Sequence, residues 1–216
     1  MQWQAFSGLR VPGSMADMTA TPQHHAPLRI GLIVGSLSHR SINRRLARAL
    51  HRMAPSGVTL ADIRIDALPM YNPDHDAAFP ASARRFKAEL EAADGLIIVT
   101  PEYNRSIPAV LKNAIDVGSR PWGESSWFGK PVALLGAGLN GAGTAVAQAH
   151  LRACLGYCGA QVLGAPETCV HWTDAPVDED GVAGPELATT LAAFLAATVR
   201  HVAKAQSPDD SHLSKV

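Results

Sequence analysis

Three short runs in this chain are almost wholly apolar: Leu28 to Val34 (LRIGLIV), Gly95 to Val99 (GLIIV) and Pro131 to Leu135 (PVALL). A strand with apolar residues at successive positions presents them on both faces, so it must be covered on both sides. That constraint leaves little choice: these runs are central strands of a parallel sheet with helices packed on each face. The segments between them carry helical patterns. Ile42, Leu46, Ala49, Leu50 and Met53 recur at helical spacing before Pro55 ends the run. Helices are also predicted over 82–92, from Pro108 to about 118, over 143–158, and along Leu187, Leu191, Phe194, Leu195, Val199 and Val202. Val58 to Ile65 alternates as an edge strand does, and Gln161 to Leu163 starts a short last strand. Strand–helix alternation predicts an α/β fold.

The chain's 216 residues suit one domain with a sizeable core. Lys plus Arg equals Asp plus Glu at 19 each, which argues against nucleic acid as the main partner. No apolar run approaches the roughly 20 residues of a membrane span. Residues 1–27 lack the basic start and apolar centre of a signal peptide and read as a disordered tail. The domain spans 28–204, and 205–216 read as a flexible tail. Three cysteines without framework spacing fit a reducing cytosol, hence a cytoplasmic protein. His150, Cys154 and Cys158 fall four apart on a helix, which suits a face against the core better than a metal site. Arg44, Arg45, Arg48 and Arg52 on one helix form either a binding patch or a solvated face.

In a parallel sheet of this kind, ligands sit beyond the carboxyl ends of the strands. Three loops occupy that edge. The first, Gly35 to Asn43 (GSLSHRSIN), holds three serines and an asparagine before a helix. One of these suffices as a helix cap; the surplus favours phosphate, drawn by backbone N–H groups and hydroxyls. No GxxxxGK[ST] pattern is present, so this is not a triphosphatase loop. The second, PEYN at Pro101 to Asn104, combines a rigid turn, a carboxylate, a ring and an amide, more than a connector requires. The third contains Gly136, Gly138 and Gly141 as G-x-G-x-x-G. A dinucleotide fingerprint also needs an acid closing the next strand, and Glu167 comes only after it. Glycines that let backbone approach a flat ring are the better reading. Phosphate in the first loop and a ring in the second fit a mononucleotide.

The segment PEYNRSIPAVLKNAIDVGSRPWG closely resembles the loop–helix signature of the NADPH-dependent FMN reductase family, in its chromate and quinone reductase branch. GSLSHRSIN is similar to that family's phosphate loop, and AHLRACLGYCGAQVLGAPE to its later helix and turn. The resemblance implies a flavodoxin-like α/β/α sandwich with a five-stranded parallel sheet in order 2-1-3-4-5. It also implies bound FMN, NADPH or NADH as co-substrate, and a homodimer or homotetramer. On this basis Ser36, Ser38, Arg40, Ser41, Ile42 and Asn43 hold the phosphate. Pro101, Glu102, Tyr103, Asn104, Arg105 and Ser106 line the ring, with Gly136 and Gly138 at its edge. Arg105 is equally well a solvated loop charge. Ser38 stands where the family usually has arginine, and His39 or Arg40 can replace that charge. The resemblance pairs Arg120 with Glu167 across a subunit contact; two separate surface charges are the alternative.

The implied activity passes hydride from NAD(P)H to FMN. Electrons then go to quinones, flavins, azo compounds or metal oxyanions such as chromate, by a ping-pong route with no catalytic side chain. A flavodoxin-type electron carrier, or a flavin-binding regulator without turnover, is the alternative.

Overall fold

The computed structural model describes residues 27–206, so the expectations for both tails fall almost wholly outside it. The elements run β1 (Leu28–Val34), α1 (Ile42–Met53), β2 (Val58–Asp62), a 3-10 turn (Pro73–Ala78), α2 (Ala81–Glu91), β3 (Gly95–Val99), α3 (Ala109–Gly118), β4 (Pro131–Gly138), α4 (Ala145–Tyr157), β5 (Gln161–Val162), β6 (Thr168–His171) and α5 (Pro185–Ala205).

All pairings are parallel, in the order β2-β1-β3-β4-β5. Successive strand residues divide between two cores, as their period of two requires. Ile30, Leu32, Ile97, Val99, Ala133 and Leu135 meet Leu46 and Leu50 of α1 and Leu191 and Phe194 of α5. Ile33, Leu96, Ile98, Val132 and Leu134 meet Phe86 and Leu90 of α2, Leu111 and Ile115 of α3, and Leu151 and Leu155 of α4. This is the flavodoxin-like three-layer sandwich.

Four features differ from the sequence reading, beyond shifts of one or two residues at the ends of α2, α4 and β5. Strand β2 stops at Asp62, three residues early, although Ile63 and Ile65 stay buried. Pro108 caps α3 rather than opening its first turn. Strand β4 runs three residues past Leu135, through Gly136–Gly138. The fifth strand position is filled twice: β5 pairs with Pro131 and Val132, and β6 with Leu135 to Gly138. Between them lie Gly164 and the cis Ala165–Pro166 bond. Proline has no N–H for a ladder, so the strand breaks there and resumes.

Candidate functional site

Strands β1, β3 and β4 end at the same edge, and their loops are joined backbone to backbone. Gly35 N–H donates to Val99 O at 2.8 Å, and Thr100 N–H to Leu135 O at 2.9 Å. Each loop exposes one large apolar side chain: Leu37 at 47%, Tyr103 at 50% and Leu139 at 77%. Buried loop backbone between exposed apolar groups is the composition of a small-molecule site.

In the first loop, the hydroxyls divide by role. Ser41 caps α1, accepting from Arg44 N–H at 3.3 Å. Ser38 accepts from Arg40 N–H at 3.2 Å in an exposed turn. Ser36 is buried, and its Oγ lies 3.5 Å from the Tyr103 hydroxyl, a long contact linking the first and second loops. Asn43 is buried with its amide facing β4: Nδ2 donates to Ala137 O and Oδ1 accepts from Ala137 N–H, both at 2.9 Å. The amide expected to donate to phosphate therefore ties α1 to β4, while the Asn43 backbone N–H stays at the open helix end. Ile42 opens α1 half-buried, and Arg40 is exposed. The first turn of α1 carries no acidic side chain, so nothing there repels an anion.

The second loop is a tight hairpin. Tyr103 and Ser106 exchange backbone hydrogen bonds at 3.0 Å in both directions. Asn104 and Arg105 between them have φ of 51° and 61°. Two left-handed residues suit a type I′ turn, and for arginine that backbone is strained. Pro101 is buried at the loop's base. The Glu102 carboxylate, its side chain 5% exposed, accepts from Val146 and Ala147 N–H at 3.1 and 3.2 Å. Thr144 makes no side-chain cap at that helix start, so Glu102 serves as the cap of α4 from another loop. Arg105 is largely exposed and meets Glu102 Oε1 at 3.3 Å. Ser106 Oγ lies 3.0 Å from His150 Nδ1 on α4.

In the third loop, a Cβ at Gly136 would meet Thr100 O at 2.0 Å, and one at Gly138 would meet Gly143 O at 2.5 Å. Both glycines are required by neighbouring protein backbone. Gly141 has open space around it.

Sequence reasoning missed His150 as the partner of Ser106, because its spacing to Cys154 drew attention to metal instead. Cys154 and Cys158 pack against the core beneath α4. It also missed Leu37 and Leu139, whose signal is a large apolar residue inside a polar loop. Arg120 turns back on its own chain, with its guanidinium 5.3 Å from the Tyr71 ring centroid, 5.7 Å from that of Trp122, and 3.9 Å from Asp76.

The sheet order and carboxyl-edge loops define a flavodoxin-like protein. Comparison with known proteins carries this further. The sequence model of the family described as NADPH-dependent FMN reductase matches residues 28–173, and the chain belongs to that family. It is similar to a 2-hydroxy-1,4-benzoquinone reductase of Burkholderia sp, 47% identical over 154 residues, 71% of this chain and 84% of the relative. It is also similar to a quinone reductase of Pseudomonas putida, 39% identical over 167 residues, 77% and 90% of the two chains. Among solved structures it resembles FerB, a flavoenzyme NAD(P)H:(acceptor) oxidoreductase from Paracoccus denitrificans. The TM-score is 0.78 at 36% identity, covering 82% of this chain and 98% of that one.

Membership makes the chain an oxidoreductase with FMN as cofactor and a reduced nicotinamide nucleotide as electron source. The residues present fit FMN. A helix start without acid, with a buried serine beside it, suits a phosphate, and exposed apolar groups on three loops suit a flat ring.

Proposed function

We propose that this protein reduces quinones and related small acceptors with electrons from NAD(P)H. The observation that carries the reading is that the three loops at the carboxyl edge of the sheet each expose a large apolar side chain, Leu37, Tyr103 and Leu139, and that the first two loops meet where Ser36 Oγ lies 3.5 Å from the Tyr103 hydroxyl. Bound FMN would supply the redox chemistry between NAD(P)H and the acceptor. The chain's own residues bind and orient. Ser36, Ser41 and the N–H groups of Ile42 and Asn43 hold the phosphate, with Ser38 and Arg40 at its outer side. The Tyr103 ring and the Asn104–Ser106 turn flank the flavin, and Pro101 and Glu102 fix that turn against α4. Gly136 lets β4 approach the backbone of Thr100 after β3, and Gly138 lets the third loop close on Gly143. Backbone N–H groups of these loops would stabilise negative charge developing on the flavin.

Donor and acceptor use one open face in turn, so kinetics are ping-pong and acceptor choice is broad. Flavins, azo compounds and metal oxyanions such as chromate are further acceptors on this reading. The three half-buried thiols suit the cytoplasm. Among the described residues no helix is long and apolar enough to cross a membrane. The assembly is a homodimer or homotetramer, with Arg120 and Glu167 near a subunit contact. Arg120→Glu then shifts sedimentation toward smaller species; an active wild-type monomer removes this part of the proposal.

The deciding experiment mixes FMN-loaded protein anaerobically with NADPH or NADH, then adds a benzoquinone. An oxidoreductase bleaches the flavin absorbance within a turnover and recovers it with quinone. A carrier or regulator leaves it unbleached, and that result overturns the reading.

A further inference from the structure

The four arginines of α1 divide into two pairs with different fates. Arg45 and Arg52 hold the segment leading to α5. Arg45 donates to Val177 O and, at 3.2 Å, to Asp178 O, while Arg52 donates to Asp180 O at 2.6 Å. Arg44 and Arg48, four residues apart on another stripe, line a cleft of about 680 Å³ between α1, the first loop and the segment following β2. Neither makes a side-chain hydrogen bond or ion pair among the described residues. The Nε of Arg44 is buried and unpartnered. The carboxylate that feels its charge, Asp66, is already hydrogen-bonded to Arg64. The other carboxylate of the cleft, Asp62, is held by His51 at 2.8 Å. Two guanidinium groups thus face a cavity whose own acids are taken. Two cations lining one cleft without acidic partners of their own among the described residues suit an anionic ligand, held by charge-assisted hydrogen bonds.

The rest of the wall narrows the choice. Val34, Leu37, Ile63 and Ile65 give the cleft an apolar side, and His39 stands at its rim. Its volume suits a nucleoside-sized ligand. Leu37 and His39 belong to the first loop, so the cleft adjoins the candidate FMN phosphate site. We propose that this cleft takes the adenosine half of NADPH, with Arg44 and Arg48 on the 2′-phosphate and the base against Val34 and Leu37. NADPH is then preferred over NADH. The inference rests on the reading that a nicotinamide nucleotide is the electron source.

The test titrates 2′,5′-ADP and 5′-AMP into FMN-loaded protein by calorimetry, so that the first loop is already filled. The wild type should bind 2′,5′-ADP at least about tenfold more tightly than 5′-AMP, as expected for charge-assisted hydrogen bonds. Arg44→Ala with Arg48→Ala should remove that difference and leave 5′-AMP binding unchanged. Arg48 is exposed, so Arg48→Glu preserves the fold and should weaken 2′,5′-ADP selectively. Equal binding of both probes by the wild type, or an equal loss of both in the variants, overturns the proposal. Wild-type bleaching by NADPH and NADH is measured alongside. Failure with both nucleotides strikes the oxidoreductase reading, whereas the probe titration judges the cleft by itself.

Discussion

Asn43 and Ala137 exchange two hydrogen bonds at 2.9 Å across 94 positions of sequence, the amide of one matching the backbone of the other. Both residues are buried, and the pair fixes the start of α1 against the end of β4. The spacing between the first and third loops depends on it.

Asn43→Ala leaves a buried N–H and a buried carbonyl without partners. At about 1–3 kcal/mol for each unmade bond, the variant should lose about 2–4 kcal/mol of stability. Urea unfolding of the flavin-free protein measures this. A variant of wild-type stability that no longer holds FMN would instead assign the amide to the ligand.

Glu102 should behave as a helix cap supplied from a distance. Glu102→Ala is expected to cost about 1–2 kcal/mol, as loss of a cap does. Glu102→Gln should cost less, because it keeps an oxygen for Val146 and Ala147 N–H and loses only the charge. Thermal unfolding ranks the three proteins. If glutamine proves as damaging as alanine, the charge rather than the acceptor dominates at this helix end.

The third loop offers a comparison between two glycines of one motif. A Cβ at Gly138 meets Gly143 O at 2.5 Å, so Gly138→Ala must push the loop aside and should destabilise by about 1–3 kcal/mol. Gly141→Ala meets nothing within 4 Å and should change stability by about 0.5 kcal/mol or less. Thermal shifts of equal size in the two variants would contradict the packing account.

Burial pushes the thiols of Cys158 and Cys169 above the usual cysteine range. The thiolate is the reacting form, so at pH 8 both should alkylate with iodoacetamide more slowly than free cysteine. Raising the pH through the displaced range should restore the rate. Mass spectrometry of each site against pH checks this, and a profile matching free cysteine would refute it.

What the sequence made legible follows from where each signal resides. The three central strands announce themselves because a strand buried on both faces has no polar position to spare. The loops were legible because each apolar run ends abruptly in small and polar residues. Strand β6 was not, since Thr168–His171 is too short for a period and forms through pairing with β4. That same pairing carries β4 onward through Gly136–Gly138, which have little side chain to signal a strand. The targets of side chains were hidden for a related reason. Nothing local to Asn43 or Glu102 tells that their partners lie on β4 and α4. The sequence thus located the site's loops but not which polar groups the fold uses for itself.

Ser36 is therefore the cleanest probe of the phosphate reading. Ser41 is occupied as a cap and the Asn43 amide as a tie, so replacing either mixes folding with binding. Ser36 is buried at 3% exposure and caps no helix, and among the described residues its side chain's one hydrogen-bond partner is the Tyr103 hydroxyl at 3.5 Å. That separation is too long for a strong hydrogen bond, which leaves the hydroxyl free to donate to an anion. A donor to phosphate is worth roughly 1.5–3 kcal/mol, or about ten- to a hundredfold in affinity. Ser36→Ala should weaken FMN by that factor and riboflavin, which has no phosphate, far less, with unfolding within about 1 kcal/mol of wild type. Flavin fluorescence titrations give both affinities. Equal weakening of the two flavins would move Ser36 away from the phosphate and toward the support of Tyr103.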